Sequence, residues 1–285
     1  MDEKTIYLGI IISIAIIGII SMIIMMLKYK KTITLVQTIR KRIIFQLNIS
    51  CILHCFSHFF LIPDLSKNTE LCQFEGALNF TFLLSTLIFT VQISFFSYHS
   101  EGGNNCFNNH KNLINIIFSV LAWIIPLCLC IICFFLTNWK PFTLESNSND
   151  YNCSLNLNFN SLEILEYIYI AFLITGLLTN LIFTILMIIR NCLSTNREGG
   201  KNKRKYISCS LNIVTYLPTI IQHFIDLKGT SIQFGWIILI DSCECLSGII
   251  YVIAFEFGNM NFCKKESENE MERLGELANI SPLVE

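Results

Sequence analysis

The chain has 285 residues, of which 53% are apolar and only 14% are charged, and its mean hydropathy is +0.57. A soluble domain normally carries about 25% charged residues, so this composition excludes an ordinary water-soluble protein and indicates a chain solvated by lipid. The formal net charge of −1 says little about partners, because the charges are segregated along the chain.

Seven apolar runs follow one another along the chain, each close to the ~20 residues that a membrane-spanning helix requires. The first run is longer than the hydrophobic region of a signal peptide and reaches Lys28 without a small-residue cleavage site, so we interpret it as a retained span. The predicted spans are 6–27, 43–62, 73–97, 113–136, 162–189, 207–225 and 232–255. The predicted fold is therefore all-α, a seven-transmembrane helix bundle.

The basic residues predict the orientation of this bundle. Of the 20 Lys and Arg residues, one alternating set of connections holds only four, Lys4, Lys67, Lys140 and Lys228, which leaves sixteen in the other set. Short connections rich in Lys and Arg remain cytoplasmic. We therefore expect a short extracellular amino terminus (1–5), a transmembrane domain (6–256) and a cytoplasmic, largely disordered tail (257–285) in a multi-pass protein of the plasma membrane.

Cysteine placement predicts one disulfide bond. Among 13 cysteines, only Cys72 and Cys153 face the outside in this topology, and disulfides form in oxidising compartments. Their pairing would tie the largest outer connection to the start of the third span, and two unpaired thiols are the alternative. Asn152 heads an Asn-Cys-Ser sequon on the same side and is a candidate glycosylation site.

Short motifs carry a resemblance to a known family. Cys72-Gln-Phe-Glu75-Gly76 opens the third span, Trp123-Ile-Ile-Pro126 lies in the fourth, and Asn180 lies in the fifth. Further along the chain are Lys203-Arg-Lys-Tyr206, Leu217-Pro218 and Gly248-Ile-Ile-Tyr251. In order and spacing these resemble the cyclic-AMP-receptor-like family of G-protein-coupled receptors, and more distantly the secretin-like receptors, over roughly residues 5 to 258.

The resemblance implies an extracellular ligand and a heterotrimeric G protein as partners. It places four basic residues at the G-protein-facing side: Arg190, Lys203, Arg204 and Lys205. The alternative role of these residues is to fix topology and attract anionic membrane lipid, at about 1 kcal/mol per basic residue.

Polar residues within spans are costly and indicate function, so they define a candidate ligand pocket in the outer half of the bundle. Its members are Glu75, Asn79, Gln222, His223, Asp241 and Glu244. Asp241 and Glu244 are one helical turn apart and share a face, as do Glu75 and Asn79. We expect a cationic or hydrogen-bonding small molecule there; hydrogen bonding between helices is the alternative interpretation.

Two further features of the spans have a structural and a functional interpretation. His54 and His58, at i and i+4, have a spacing compatible with a metal, but packing and hydrogen bonding are favoured and we predict no metal site. Pro126 and Pro218 each remove a backbone donor and are expected to kink their helices.

The predicted function is a receptor that binds an extracellular ligand and activates a cytoplasmic G protein. A small-solute transporter or a non-coupling seven-helix protein is the alternative. We expect no enzymatic activity, no cofactor and no nucleic-acid partner, since no connection exceeds about 25 residues and no catalytic motif stands out.

Overall fold

The computed structural model describes most of the first five predicted spans and parts of the last two. The described residues are 3–32, 39–61, 69–100, 105–138, 141–143, 153–155, 160–193, 216–221, 225, 235–236, 238–246 and 250. Five long helices run through them: α1 (Glu3–Thr32), α2 (Ile39–Ser57), α3 (Thr69–Ser100), α4 (Asn105–Leu136) and α5 (Asn160–Leu193). Residues 216–221 and 238–246 are also helical.

All five helices are long and apolar enough to cross a membrane, over windows whose ends agree with predicted spans one to five to within three residues. A helix suits that environment because it satisfies every interior backbone donor and acceptor internally. The protein is thus an α-helical, multi-pass membrane protein, and the prediction is confirmed in this coarser form. The sixth and seventh spans and the orientation of the termini stay predictions.

Helix α3 is the centre of the described bundle. It packs against α2, α4 and α5, and 78% of its membrane window is buried, compared with 28% for each of α1, α4 and α5. The outer helices expose large apolar side chains; Ile17 on α1 is 56% exposed and Phe135 on α4 is 67% exposed. Exposed apolar faces of this extent are suited to lipid.

The second span changes its helical geometry before it ends, whereas the fourth helix is continuous. The α-helix of the second span ends at Ser57, and a 3-10 turn (His58–Leu61) continues it. Helix α4 remains α-helical through Pro126, so the proline does not interrupt it. After α4 ends, Asn138 adopts a left-handed backbone conformation (φ 51°), which asparagine tolerates at helix C-termini.

Two short strands form the only described β-structure. Strands β1 (Phe142–Thr143) and β2 (Ser154–Leu155) lie between α4 and α5 and pair antiparallel, with Phe142 opposite Leu155. We call this element the hairpin, and the end of the bundle that carries it the hairpin end. Helices α1, α3 and α5 begin at the hairpin end, whereas α2 and α4 finish there.

Candidate functional site at the hairpin end

The hairpin is fastened to the first turns of α3 by a covalent bond and by a side-chain amide. A disulfide joins Cys72 on α3 to Cys153 just before β2, so the predicted pairing is present in the structure. Next to it, the amide of Gln73 donates through Nε2 to the Phe142 carbonyl and accepts through Oε1 from the Phe142 backbone N–H at 3.0 Å. The side chain of Gln73 thus satisfies both backbone groups of one hairpin residue.

The ring of Phe142 lies directly on Gly76. A Cβ built on Gly76 would be 2.5 Å from Cγ of Phe142, closer than real Cβ contacts allow. Phe142 is only 3% exposed and packs between Phe80 of α3 and Phe134 of α4. The absence of a side chain at position 76 therefore lets the hairpin enter the end of the bundle instead of lying over it.

Glu75 connects the hairpin to the interior of the bundle. Its Oε2 atom accepts a hydrogen bond of 3.2 Å from the backbone N–H of Cys153. The side chain of Glu75 is completely buried, and its Oε1 atom has no hydrogen-bond partner among the described residues. A fully buried carboxyl with one unsatisfied oxygen is costly and is uncommon in native proteins unless a ligand, ion or water completes it.

Asp241 lies near Glu75 and belongs to the segment 238–246. It accepts a hydrogen bond from the phenol of Tyr7, which comes from the opposite end of the sequence on α1. Asp241 is 3% exposed and interacts electrostatically with Glu75. This contact closes the bundle between its first helix and the predicted seventh span.

Glu244, one turn further along, contacts two other elements. Its Oε1 accepts a hydrogen bond of 2.6 Å from Thr219, and its Oε2 lies 3.5 Å from Nε2 of His54 on α2. The His54 ring makes an edge contact with His58, the centroids being 5.3 Å apart. Both ring nitrogens of His58 are buried without a hydrogen-bond partner among the described residues.

Glu75, Asp241 and Glu244 together form what we call the acid cluster. Its three carboxyl groups come from α3 and the segment 238–246, and tyrosine, threonine and histidine side chains surround it. One of its oxygens, Oε1 of Glu75, has no hydrogen-bond partner among the described residues, which suits a ligand with a positive charge or a hydrogen-bond donor. Within the described parts of the chain, no group of three or more His, Cys, Asp and Glu side chains could hold a metal ion.

The predicted pocket residues are only partly assembled. Glu75 interacts electrostatically with Asp241, and Glu244 lies one helical turn from Asp241 on the same segment. Asn79 lies one turn along the same face of α3 as Glu75, with its Oδ1 buried and unpartnered among the described residues. Gln222 and His223 lie outside the described residues.

The sequence did not single out Tyr7 or Thr219, and for His54 it favoured packing and hydrogen bonding without identifying a partner. For each of these residues the sequence signal was a single polar side chain within an apolar run, and the sequence did not show which residue it contacts. Gln73 and Gly76 were noticed only as parts of a motif, and the structure gives both a contact with the hairpin.

The end of the bundle opposite the hairpin uses neutral polar groups. Ser94 on α3 donates to Oδ1 of Asn180 on α5 at 2.7 Å, and Nδ2 of Asn180 donates to Thr90 at 3.3 Å. Nε2 of Gln92 on α3 lies 3.0 Å from Oδ1 of Asn115 on α4. Uncharged hydrogen bonds therefore tie α3 to both neighbours there.

The remaining predicted sites are largely outside the described residues. Arg190 is half-buried near the end of α5, and Pro218 is half-buried in the segment 216–221. The structure does not describe Asn152, Lys203, Arg204 or Lys205. Their predicted roles stay predictions.

Comparison with known proteins adds no family assignment. No protein-family model matches the sequence, and a search of curated proteins found no match.

Proposed function

We propose that this protein is a seven-helix receptor of the G-protein-coupled type, which binds a small ligand at the hairpin end and activates a cytoplasmic G protein. In this proposal the amino terminus and the hairpin are outside and the basic connections are inside. The proposal rests on the charge distribution, on the motif resemblance and on one structural observation, the acid cluster beneath a disulfide-anchored hairpin.

The acid cluster supports a ligand-responsive role because it connects helices that are distant in sequence. Tyr7 and Asp241 are 234 positions apart, and Thr219 and Glu244 link two of the last described segments. A ligand that hydrogen-bonds to these carboxyl groups competes with the contacts between helices. Such differential contact is the physical requirement for a ligand to shift a conformational equilibrium.

The hairpin supports an outer position for this ligand. The backbone N–H of Cys153, just before β2, donates to Glu75, which in turn interacts electrostatically with Asp241. We propose a cationic or multiply hydrogen-bonding small molecule, which reaches the cluster when the hairpin moves. Such a ligand would compensate buried carboxylates that otherwise incur a desolvation cost.

The decisive experiment measures guanine-nucleotide exchange on heterotrimeric G proteins in membranes that contain the protein. A panel of small amines, nucleotides and polyols is added, and at least one member should accelerate exchange. Silence across the panel, together with solute flux in reconstituted vesicles, would favour the transporter alternative.

Variants connect an active ligand to the acid cluster. Asp241→Asn and Glu244→Gln keep the side-chain size and remove the charge, so each should raise the half-maximal ligand concentration at least about tenfold, equivalent to the loss of ~1.4 kcal/mol. Glu70→Gln is the matched control, since Glu70 is an exposed carboxylate at the same end of α3. An equal effect of all three changes would show a general charge effect and contradict the assigned site.

The inner side is tested by neutralising Lys203, Arg204 and Lys205 together. This variant should lose nucleotide exchange while retaining ligand binding, because the proposed contact is with the G protein. Neutralising Lys264 and Lys265 in the tail is the control for total positive charge. Loss of ligand binding in the triple variant would argue against a separate coupling surface.

A further inference from the structure

A second polar site lies in a cavity between α2 and α4, on the lipid side of the bundle and away from the acid cluster. The cavity has a volume of about 270 Å³, far more than one water molecule requires. Arg42 and Gln46 of α2 line one side, and Asn115, Ser119 and Trp123 of α4 line the other. It lies in the half of the bundle opposite the hairpin, where α2 and α4 begin.

The floor of the cavity is polar and incompletely hydrogen-bonded. Oε1 of Gln46 is buried and has no hydrogen-bond partner among the described residues. Oγ of Ser119 lies 3.3 Å from Nε2 of Gln92, from which it accepts a hydrogen bond, so its own hydrogen remains for donation. Ser119 is 7% exposed. A ligand here thus meets an acceptor from Gln46 and a donor from Ser119.

The rim of the cavity is apolar and open to the membrane. Ile116 and Val120 line it and are 54% and 47% exposed, on a helix whose outer face carries many exposed apolar side chains. Arg42 is exposed and is the first residue of the apolar window of α2, so its guanidinium lies where the membrane core meets the interface. The cavity therefore combines a cation, hydrogen-bonding groups and a hydrocarbon wall in the order found along a phospholipid.

We propose that this cavity binds an anionic phospholipid, such as a phosphatidylglycerol. The phosphate is attracted to Arg42, a glycerol ester carbonyl accepts a hydrogen bond from Ser119, and an acyl chain follows Ile116 and Val120. Basic pockets between helices at the cytoplasmic side of a membrane are suited to acidic headgroups, and that leaflet is the anionic one. Its placement at the cytoplasmic leaflet rests on the orientation proposed above, whereas its lining residues are separate from the acid cluster.

The test measures lipid retention on the purified full-length protein by native mass spectrometry. Phosphatidylglycerol is compared with phosphatidylcholine of the same acyl chains, and glycerol 3-phosphate and cholesterol are added as competitors. The wild-type protein should retain phosphatidylglycerol at least about fivefold more strongly than phosphatidylcholine, as expected for one basic contact near the membrane surface. Neither competitor should displace it.

Two pairs of variants assign the retained lipid to the cavity. Val120→Trp fills the cavity from the lipid side and should abolish the preference, whereas Leu121→Trp, at a neighbouring exposed position outside the cavity, should leave it unchanged. Arg42→Gln should reduce the preference about fivefold, and Lys111→Gln, an exposed charge near the start of α4, should not. Val120 and Leu121 are both lipid-exposed, so neither variant disturbs the core.

Four results would overturn the proposal. Equal retention of both phospholipids would show that the cavity does not recognise the headgroup. A preference that survives Val120→Trp would place the lipid elsewhere on the protein. Displacement by glycerol 3-phosphate would identify a soluble phosphate ligand, and displacement by cholesterol would identify a site that recognises a hydroxyl without a phosphate.

Discussion

Both ends of the bundle bury polar groups in an apolar medium, but the chemistry of these groups differs between the two ends. At the hairpin end, carboxyl, imidazole and phenol groups meet beneath a disulfide-anchored hairpin. At the opposite end, amides and hydroxyls of Ser94, Asn180 and Gln92 bond to one another and carry no charge.

The difference indicates separate roles for the two ends. Neutral amide and hydroxyl contacts stabilise helix packing modestly, by about 0.6 kcal/mol on average in membrane proteins. Ionisable groups in a span are expensive to insert, at about 2.5 to 3.5 kcal/mol on insertion scales, and their presence indicates a function. We therefore expect the hairpin end to control ligand response and the opposite end to maintain the packing of α3.

The largest effect should come from breaking the disulfide at the hairpin end. Cys72→Ser and Cys153→Ser should reduce surface delivery to the same extent, and the double variant should be no worse, because each change removes the same bond. Loss of a native disulfide typically costs about 2 to 5 kcal/mol. Surface labelling relative to total protein measures the effect.

Cys128→Ser is the control for the disulfide variants, because Cys128 is a free, exposed cysteine on α4. It should leave surface delivery unchanged. Unequal defects in the two single variants would mean that one cysteine acts outside the pair.

An intermediate effect is expected from filling the space under Phe142. Gly76→Ala should destabilise the protein by about 1 to 3 kcal/mol, because the new methyl group overlaps the Phe142 ring. Gly9→Ala in α1 has no heavy atom within 4 Å of its new Cβ and should be neutral or stabilising, since alanine favours helix by about 1 kcal/mol over glycine. Thermal unfolding in detergent compares the two.

The second half of the Gly76 test removes the overlap. In a Phe142→Ala background, Gly76→Ala should lose its destabilising effect, because no ring remains above position 76. A cost that persists in the double variant would show that Gly76 is required for a reason other than contact with the hairpin.

The smallest effect is expected at the opposite end. Asn180→Ala removes the amide that bonds to Ser94 and Thr90 and should lower the free energy of unfolding by about 0.6 kcal/mol, with little change in ligand response. Thr179→Ala is the control, because among the described residues Thr179 bonds within its own helix, to the Thr175 carbonyl. A loss of about 2 to 5 kcal/mol in the free energy of unfolding, as expected for the disulfide variants, would contradict the difference between the two ends.

The parts of the fold that depend on local composition could be predicted. The first five spans are found because a helix in lipid needs about 20 apolar residues, which is a property of a continuous segment. The pairing of Cys72 with Cys153 followed from the charge distribution, which left two cysteines on one side. Polar residues in spans also identified Glu75, Asp241 and Glu244 as unusual before their contacts were visible.

The contacts of the candidate site could not be predicted in the same way. Helical periodicity showed that Asp241 and Glu244 share a face, but not that Tyr7 and His54 meet that face from α1 and α2. Likewise, the glycine in the Cys72–Gly76 motif gave no indication that Phe142, 66 positions later, lies on it. The predicted single span 43–62 also missed the change to a 3-10 turn at His58.

The sequence by itself determined that this chain is an α-helical membrane protein, because hydrophobic length and charge distribution act along the chain and need no knowledge of neighbours. Only the tertiary structure decided that the hairpin enters the bundle, that Glu75 connects it to Asp241 and that a polar cavity opens towards lipid between α2 and α4. These features depend on which helix faces meet, and that choice is made by packing between segments far apart in sequence.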